Sequence, residues 1–427
     1  MPCPDRLSQW KQEVSTTFGH LSKPQVWGLV LWSAGIALSG SAGITQISAL
    51  LALVLDQQEQ AVFQRLREWY LDAKHKSGKK RRDLDVPSCF APLLRWIVRL
   101  WGNENQQMVL VLDATQLRDR WTILSISVVV RSGALPVAWK VLGGHEKGSW
   151  RPHWEGLLEN LSGSIPADWQ VLVMADRGLY ARWLFQAICT CGWHPFLRIN
   201  LGVKARAVGE ERFDWISRWA PAPGTRWKGQ VECFASKASR LTCTLLVHWE
   251  AGYEHPWAIL TDLSPEEAEV SWYSMRAWVE TGYKDFKRGL WGWHHSKMQG
   301  ASRVERLWLA MAVAQVWTVS VGCQAEVKQE QKHPPTNLSA SHIACRRRKR
   351  PADQFPERRL SCAVRGRLSL VAALFNAESL PCGRLVPEAW PQTIMTPKKL
   401  PRPSELRQRQ RKRVQKRRAR ARARTAA

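Results

Sequence analysis

Three strand-like apolar runs, Met108 to Leu112, Trp121 to Val130 and Leu135 to Val141, follow one another with only short polar turns between them. Runs this rich in β-branched residues and this closely spaced predict an antiparallel meander. A helix-like piece, Trp154 to Leu161, then leads to a fourth apolar run, Trp169 to Ala175, a helix near Ala181 to Cys191 and a fifth run, Pro195 to Ile199. The order β-β-β-α-β-α-β predicts an α/β unit, a mixed five-stranded sheet flanked by helices.

The flanks read differently. From about Leu21 to Trp101 the chain is helical in pattern, so residues 1–104 are expected to form an N-terminal helical domain. Its stretch between Lys23 and Asp56 carries no charge, but Ser33, Ser39, Ser41, Thr45, Gln46 and Ser48 and a break at Gly40 to Gly43 divide it. Each piece is too short to cross about 30 Å of hydrocarbon, so two buried helices joined by a turn are expected, and no membrane partner. A helix over Gln57 to Lys76 presents Val62, Leu66, Trp69 and Tyr70 at helical spacing, and a last one lies near Ala91 to Leu100. Between them Lys74, Lys76, Lys79, Lys80, Arg81 and Arg82 form a basic connector with two readings, contact with DNA phosphates, which makes residues 1–104 an N-terminal helical DNA-binding domain, or a mobile, solvated loop.

Residues 105–200 hold the first part of the core, and 201–263 read as a β-rich insertion with alternating stretches at Thr242 to Trp249 and Trp257 to Asp262. Ser264, Pro265, Glu266 and Glu267 then make a helix start, predicting a helix to about Arg288 and, after a loop, another over Val304 to Val321. Residues 264–322 are thus the second part of the core. From 323 to 427 a basic C-terminal region follows, helix-like only over Leu360 to Asn376 and expected to be disordered from about 391.

Net charge narrows the partner. The 427 residues carry 63 Lys and Arg against 36 Asp and Glu, a formal charge of +27, while 45% hydrophobic residues and 25 Trp exclude a disordered polycation. Glu405 to Arg424 alone contribute eleven basic residues against one acid. Ten Cys without paired Cys-x-x-Cys spacing and a polar start point to a reducing, cytoplasmic setting. Cys189, Cys191 and His194 lie close together, yet no second ligand pair follows, so zinc is not expected.

The chemistry concentrates in the helix from Ser264. Tyr273, Arg276, Glu280 and Lys287 stand at offsets of 0, 3, 7 and 14, which at about 100° per residue share one narrow face. A solvated face on which Glu280 pairs with Arg276 and Lys284 would show the same spacing. Asp113 and Asp176, each closing an apolar strand run, tip the balance toward a three-carboxylate site with Glu280, able to share two Mg²⁺ ions, with Mn²⁺ as a substitute.

The set Tyr273-x2-Arg276-x3-Glu280-x6-Lys287 resembles the Tyr-Arg-Glu-Lys signature of bacterial DDE transposases of the insertion-sequence-four type. Leu110-Val-Leu-Asp113-Ala-Thr-Gln-Leu and Ala175-Asp176-Arg177-Gly178 resemble that family's two aspartate motifs, and the likeness spans about residues 21 to 322. It implies an RNase H-like catalytic core with a β insertion before the Glu helix. It further implies Asp113, Asp176 and Glu280 as metal ligands and Tyr273, Arg276 and Lys287 as DNA-phosphate contacts. The family's activity is cut-and-paste transposition: binding terminal inverted repeats of double-stranded DNA, as a homodimer in the DNA complex, then hydrolysis and strand transfer into target DNA. In related enzymes an aromatic of the insertion stacks on a displaced base, which draws notice to Trp249 and Trp257. The alternatives are a nuclease of the same fold without strand transfer and a catalytically inactive transposon-derived DNA-binding protein.

Removing residues 405–427 is expected to weaken binding to non-specific DNA and flatten the dependence of log K on log [salt], as measured by anisotropy over a salt series. An unchanged slope would locate the phosphate contacts elsewhere.

Overall fold

Strand β1 (Gln107–Leu117) is paired on both edges, antiparallel to β2 (Trp121–Val130) on one side and, across the sheet, parallel to a later strand on the other. The computed structural model describes residues 7–77, 81–101, 106–146, 148–251, 253–332 and 360–394. β3 (Gly133–Gly143) completes the expected meander. Helix α6 (Arg151–Leu161) leads to β4 (Gln170–Ala175), the parallel neighbour of β1, and α7 (Arg182–Thr190) leads to β5 (His194–Arg198), parallel to β4. Parallel pairs need such crossovers, and both carry buried Leu and aromatic residues that cover the sheet.

The sheet does not stop at five strands. β6 (Lys204–Ala207), β7 (Asp214–Trp215), β8 (Arg226–Cys233), β9 (Leu241–His248) and β10 (Trp257–Thr261) extend it to ten, in the order β3-β2-β1-β4-β5-β10-β9-β8-β6-β7. β10 joins the two parts by pairing antiparallel to β5, through Ile259 opposite Arg198 and Leu260 opposite Leu197. The physical reason is the open edge of β5: a run buried at every position, as β10 is, covers it where water otherwise would. The chain is therefore mixed α/β, with the segment 201–263 built onto the edge of the same sheet.

Among the described residues ten α-helices accompany the sheet. α1 (Ser8–Thr17), α2 (Lys23–Ser39), α3 (Ile44–Leu55), α4 (Glu59–Tyr70) and α5 (Phe90–Trp101) precede it, and α2 and α3 meet at 98°, at the Gly40 to Gly43 break. A capping box at Ser22 and Gln25 starts α2, and Gly40, in the left-handed conformation, ends it. Helix α9 (Ala301–Lys332) lies at the centre of these helices; over Ala301–Gln329 it is long and apolar enough to cross a membrane, but 94% of an 18-residue apolar window within it is buried inside the protein. Trp10 of α1 stacks on Trp317 of α9 at 4.1 Å and donates its Nε1 hydrogen to Ser33 of α2. Arg306 of α9, almost fully buried, is held by Asp72 at 2.8 Å and Asp83 at 3.2 Å.

The expected boundary at 323 falls inside α9, because its apolar face continues past Val321 to Cys323. Residues 360–394 return to the core. Helix α10 (Cys362–Phe375) packs on α9, and the chain beyond it makes backbone hydrogen bonds with Leu100 and Arg131, accepts from the Ser271 hydroxyl at the Pro391 carbonyl and sets Trp390 against Trp272. Pro391 and buried Ile394 thus belong to the folded body, where disorder was expected; residues 395–427, the run Arg346 to Arg350, and Lys79 and Lys80 lie outside the described residues.

The α9–α10 contact leaves no room for a side chain: a Cβ on Gly366 would stand 1.7 Å from the carbonyl oxygen of Thr318. Gly366→Ala is expected to lower stability by roughly 1–3 kcal/mol, because backbone cannot give way as a side chain can. Gly156→Ala, in α6 with nothing within 4 Å, is expected to raise it by up to about 1 kcal/mol. Denaturant unfolding of the two variants checks the contrast.

Candidate active site

The parallel register of β1 and β4 ends with Leu112 opposite Ala175. One residue further on, Asp113, still within β1, and Asp176, the first residue past β4, stand side by side at the ends of a pairing whose strands are about 4.8 Å apart, and both reach the same guanidinium. Asp113 does not close its strand as expected: β1 continues to Leu117, paired only with β2, where Asp113 faces Ser125. It is β4 that ends, and its end opens the face above Asp113. Each aspartate has one oxygen fixed by backbone, Asp113 Oδ1 accepting from Ala114 N–H and Asp176 Oδ1 from Gly178 N–H, both at 2.9 Å.

Glu280 comes from a helical segment that differs from the expected one. Ser264 and Glu267 do form a reciprocal capping box, but it closes a single turn and the chain extends again through Ala268 and Glu269. Regular helix starts at Val270 as a 3₁₀ stretch to Ala277, becomes α8 (Trp278–Lys284) and widens to a π turn over Asp285–Gly289. In 3₁₀ geometry residues i and i+3 eclipse, which lines Tyr273 up with Arg276. Helix α8 can approach the sheet because Gly282 faces β3, where a Cβ would come within 2.7 Å of the Ala134 carbonyl oxygen.

Arg276 joins the three carboxylates. Its Nη2 lies 3.0 Å from Asp113 Oδ2 and 3.6 Å from Asp176 Oδ2, and its Nη1 lies 3.8 Å from Glu280 Oε1. Three negative charges around one positive charge leave a surplus of two. The Asp113 carboxyl is pushed up by burial first; Arg276 and the Ala114 amide pull it back, and Asp176 and Glu280 push it further. Burial opposes the charge of Arg276, but Asp113 first, then Tyr273, Asp176 and Glu280, outweigh it and raise its pKa.

Tyr273 is placed otherwise than a phosphate contact would be. Its ring is buried, its hydroxyl donates to the Ala175 carbonyl at 3.2 Å, and burial pushes its pKa up to about 12. It braces the strand end that carries Asp176. Trp257 packs edge-on against that ring at 5.4 Å and Arg198 lies over both, whereas Trp249 donates to the Tyr253 carbonyl. Tyr283, not anticipated from the sequence, donates to the Asp113 carbonyl at 2.9 Å, so Ser125 Oγ at 2.8 Å donates to Tyr283.

Lys287 lies on the far side of Glu280. Its burial, with Arg288 beside it, lowers its pKa against the pull of Asp113. It lines a groove of about 520 Å³ between Thr115 to Leu117 of β1 with the following Arg118 and the helical segment, together with Glu280, Lys284 and Arg288. Four cations line this groove beside Glu280. Lys284 stands out in the sequence only as an ion-pair partner of Glu280 on a solvated face, and Arg118 and Arg288 do not stand out at all. His194, by contrast, is paired through Nδ1 with Asp262 at 3.1 Å.

The donor chemistry of Asp113, Asp176 and Glu280 fits a hard divalent cation such as Mg²⁺ or Mn²⁺, since all three offer carboxylate oxygens and their charge is only partly balanced. As the side chains stand, no group of three His, Cys, Asp or Glu among the described residues is arranged to hold a metal, and at this site the guanidinium of Arg276 occupies the middle. No protein-family model matches the chain, and no curated protein matches it.

The π turn is tied to α9 by Asp285, whose Oδ2 accepts from Gln315 Nε2 at 3.2 Å while Gln315 Oε1 accepts from Trp291. Burial pushes the Asp285 carboxyl from 3.8 up to about 6. The folded protein therefore binds this proton more tightly than the unfolded chain, so the contribution is complete below pH about 4 and is lost as pH rises through about 6. Relative to Asp285→Asn, the wild type is expected to lose about 3 kcal/mol of stability across that window, read as unfolding free energy against pH.

Proposed function

We propose that this protein is a metal-dependent DNA transposase with an RNase H-like catalytic core, which cuts at the ends of its own element and joins them to target DNA. One observation carries the reading. Asp113, Asp176 and Glu280, separated by 63 and 104 positions in the sequence, meet around a single guanidinium. The order of β1 to β5, with α6 and α7 as crossovers, supports the core assignment.

Asp113, Asp176 and Glu280 would hold Mg²⁺, which when bound supplies activation of water or a 3′-hydroxyl and charge stabilisation of the leaving oxygen. The residues around it do the positioning. Asp113 lies within β1 and Asp176 directly follows β4, and one oxygen of each is held by a backbone amide, which leaves the other free to act as a ligand. Lys284, Lys287, Arg288 and Arg118 give the groove beside Glu280 the charge to take a phosphate backbone. Tyr273 and Tyr283 hold the backbone beneath the two aspartates, and Arg276, as a planar fork, is suited to a phosphate in two-point contact.

The partners on this reading are terminal inverted repeats and target DNA, with two copies of the chain bringing two ends together in the bacterial cytoplasm. Asp113→Ala, Asp176→Ala and Glu280→Ala are each expected to reduce Mg²⁺-dependent cleavage of a duplex spanning the element's end to background. Binding of that duplex is expected to stay within a few-fold of wild type. Normal cleavage by any one variant would remove the metal assignment, and cleavage without joining of a pre-cut end would leave a nuclease.

A further inference from the structure

We infer that Arg276 is a built-in stand-in for the cation, and that a DNA phosphate must draw it off the carboxylates before a divalent metal binds, so that metal and DNA bind cooperatively. The inference rests on the proposed function, because it takes Asp113, Asp176 and Glu280 as the metal ligands.

Three observations carry it. The guanidinium lies between the donor oxygens, 3.0 Å from one Asp113 oxygen and 3.6 Å from one of Asp176, using the two that backbone amides leave free. A divalent ion on those same oxygens would stand against a like charge. Second, the fork is placed by charge more than by hydrogen bonding: Arg276 Nε is buried and has no hydrogen-bond partner among the described residues. An unpaired buried N–H is a cost, and it makes the present position one that a better acceptor can displace. Third, the way out leads toward the substrate side. Glu280, the third contact, is 68% exposed against 17% for Arg276, and next to it lies the groove of Lys284, Lys287 and Arg288 that would bring in phosphate.

A phosphate oxygen pair arriving there offers the guanidinium two parallel N–H···O bonds. The carboxylates then keep their full negative charge for the metal, and by linkage the metal strengthens DNA binding by the same factor. The device would keep the chain from holding a loaded metal site in the absence of DNA.

The test is Mn²⁺ binding to the full chain, read from the free-ion resonance, with and without a mixed-sequence DNA duplex and corrected for Mn²⁺ on the duplex alone. Wild type is expected to bind Mn²⁺ at least about tenfold more tightly with the duplex. Arg276→Gln is expected to bind at least about tenfold more tightly than wild type without it, and to gain little from it. Arg276→Lys retains the charge and is expected to stay as weak as wild type in the absence of DNA. An Arg276→Gln affinity no higher than wild type, or a wild-type affinity that the duplex leaves unchanged, overturns the inference. The second comparison stands even if the Gln variant does not fold. Failure of the underlying reading is separate: if Asp113→Asn and Glu280→Gln leave Mn²⁺ binding intact, the metal lies elsewhere.

Discussion

The site depends on one row of backbone pairing, Leu112 of β1 against Ala175 of β4. A slip of one residue would turn every side chain of β4 to the other face and part Asp176 from Asp113. That row is secured from both sides, since Leu112 and Ala175 are fully buried and Tyr273 binds the Ala175 carbonyl while Tyr283 binds that of Asp113. Two carboxylates that reach the same guanidinium nitrogen repel one another, so the pair needs a cation between or beside it. Arg276 supplies that one positive charge as the side chains stand, against the three carboxylates of Asp113, Asp176 and Glu280.

The rest of the molecule can be understood as support for that row. The ten-stranded sheet carries β1 and β4 in its interior, where neither has a free edge along its shared length. The helices before the sheet and α10 after it are organised by α9, and α9 in turn holds the π turn through Gln315 and Asp285. A change of helical pitch from 3₁₀ to α to π within Val270–Gly289 is what lets one segment brace a strand end with Tyr273, reach the aspartates with Arg276 and line the groove with Lys287. A uniform α-helix over the same residues would fix a single angular relation among them.

Much of this is legible in the sequence. The meander, the two crossover helices and β4 and β5 follow from apolar runs whose period and punctuation are local, and the strands found at Leu241–His248 and Trp257–Thr261 nearly match the alternating stretches. The helix start at Ser264 misleads for an instructive reason. The capping box is real, but a cap specifies only the first turn, and the course of the chain beyond it depends on where the segment must meet the sheet and Trp390. The return of residues 376–394 to the core is equally hidden, because an extended segment with single buried residues such as Leu380, Leu385 and Glu388 has no period to detect.

Local pattern and composition thus determined most of the helices and strands and the strong positive charge, since each of these is a property of residues near one another in the chain or of the composition as a whole. Tertiary structure alone decided that five further strands join the same sheet, that Tyr273 faces a strand end while Tyr283 supports Asp113, and that Arg276 sits among the carboxylates. These depend on register, pitch and side-chain direction between segments 60 to 170 positions apart, and no spacing along a single strand or helix encodes the distance between two others.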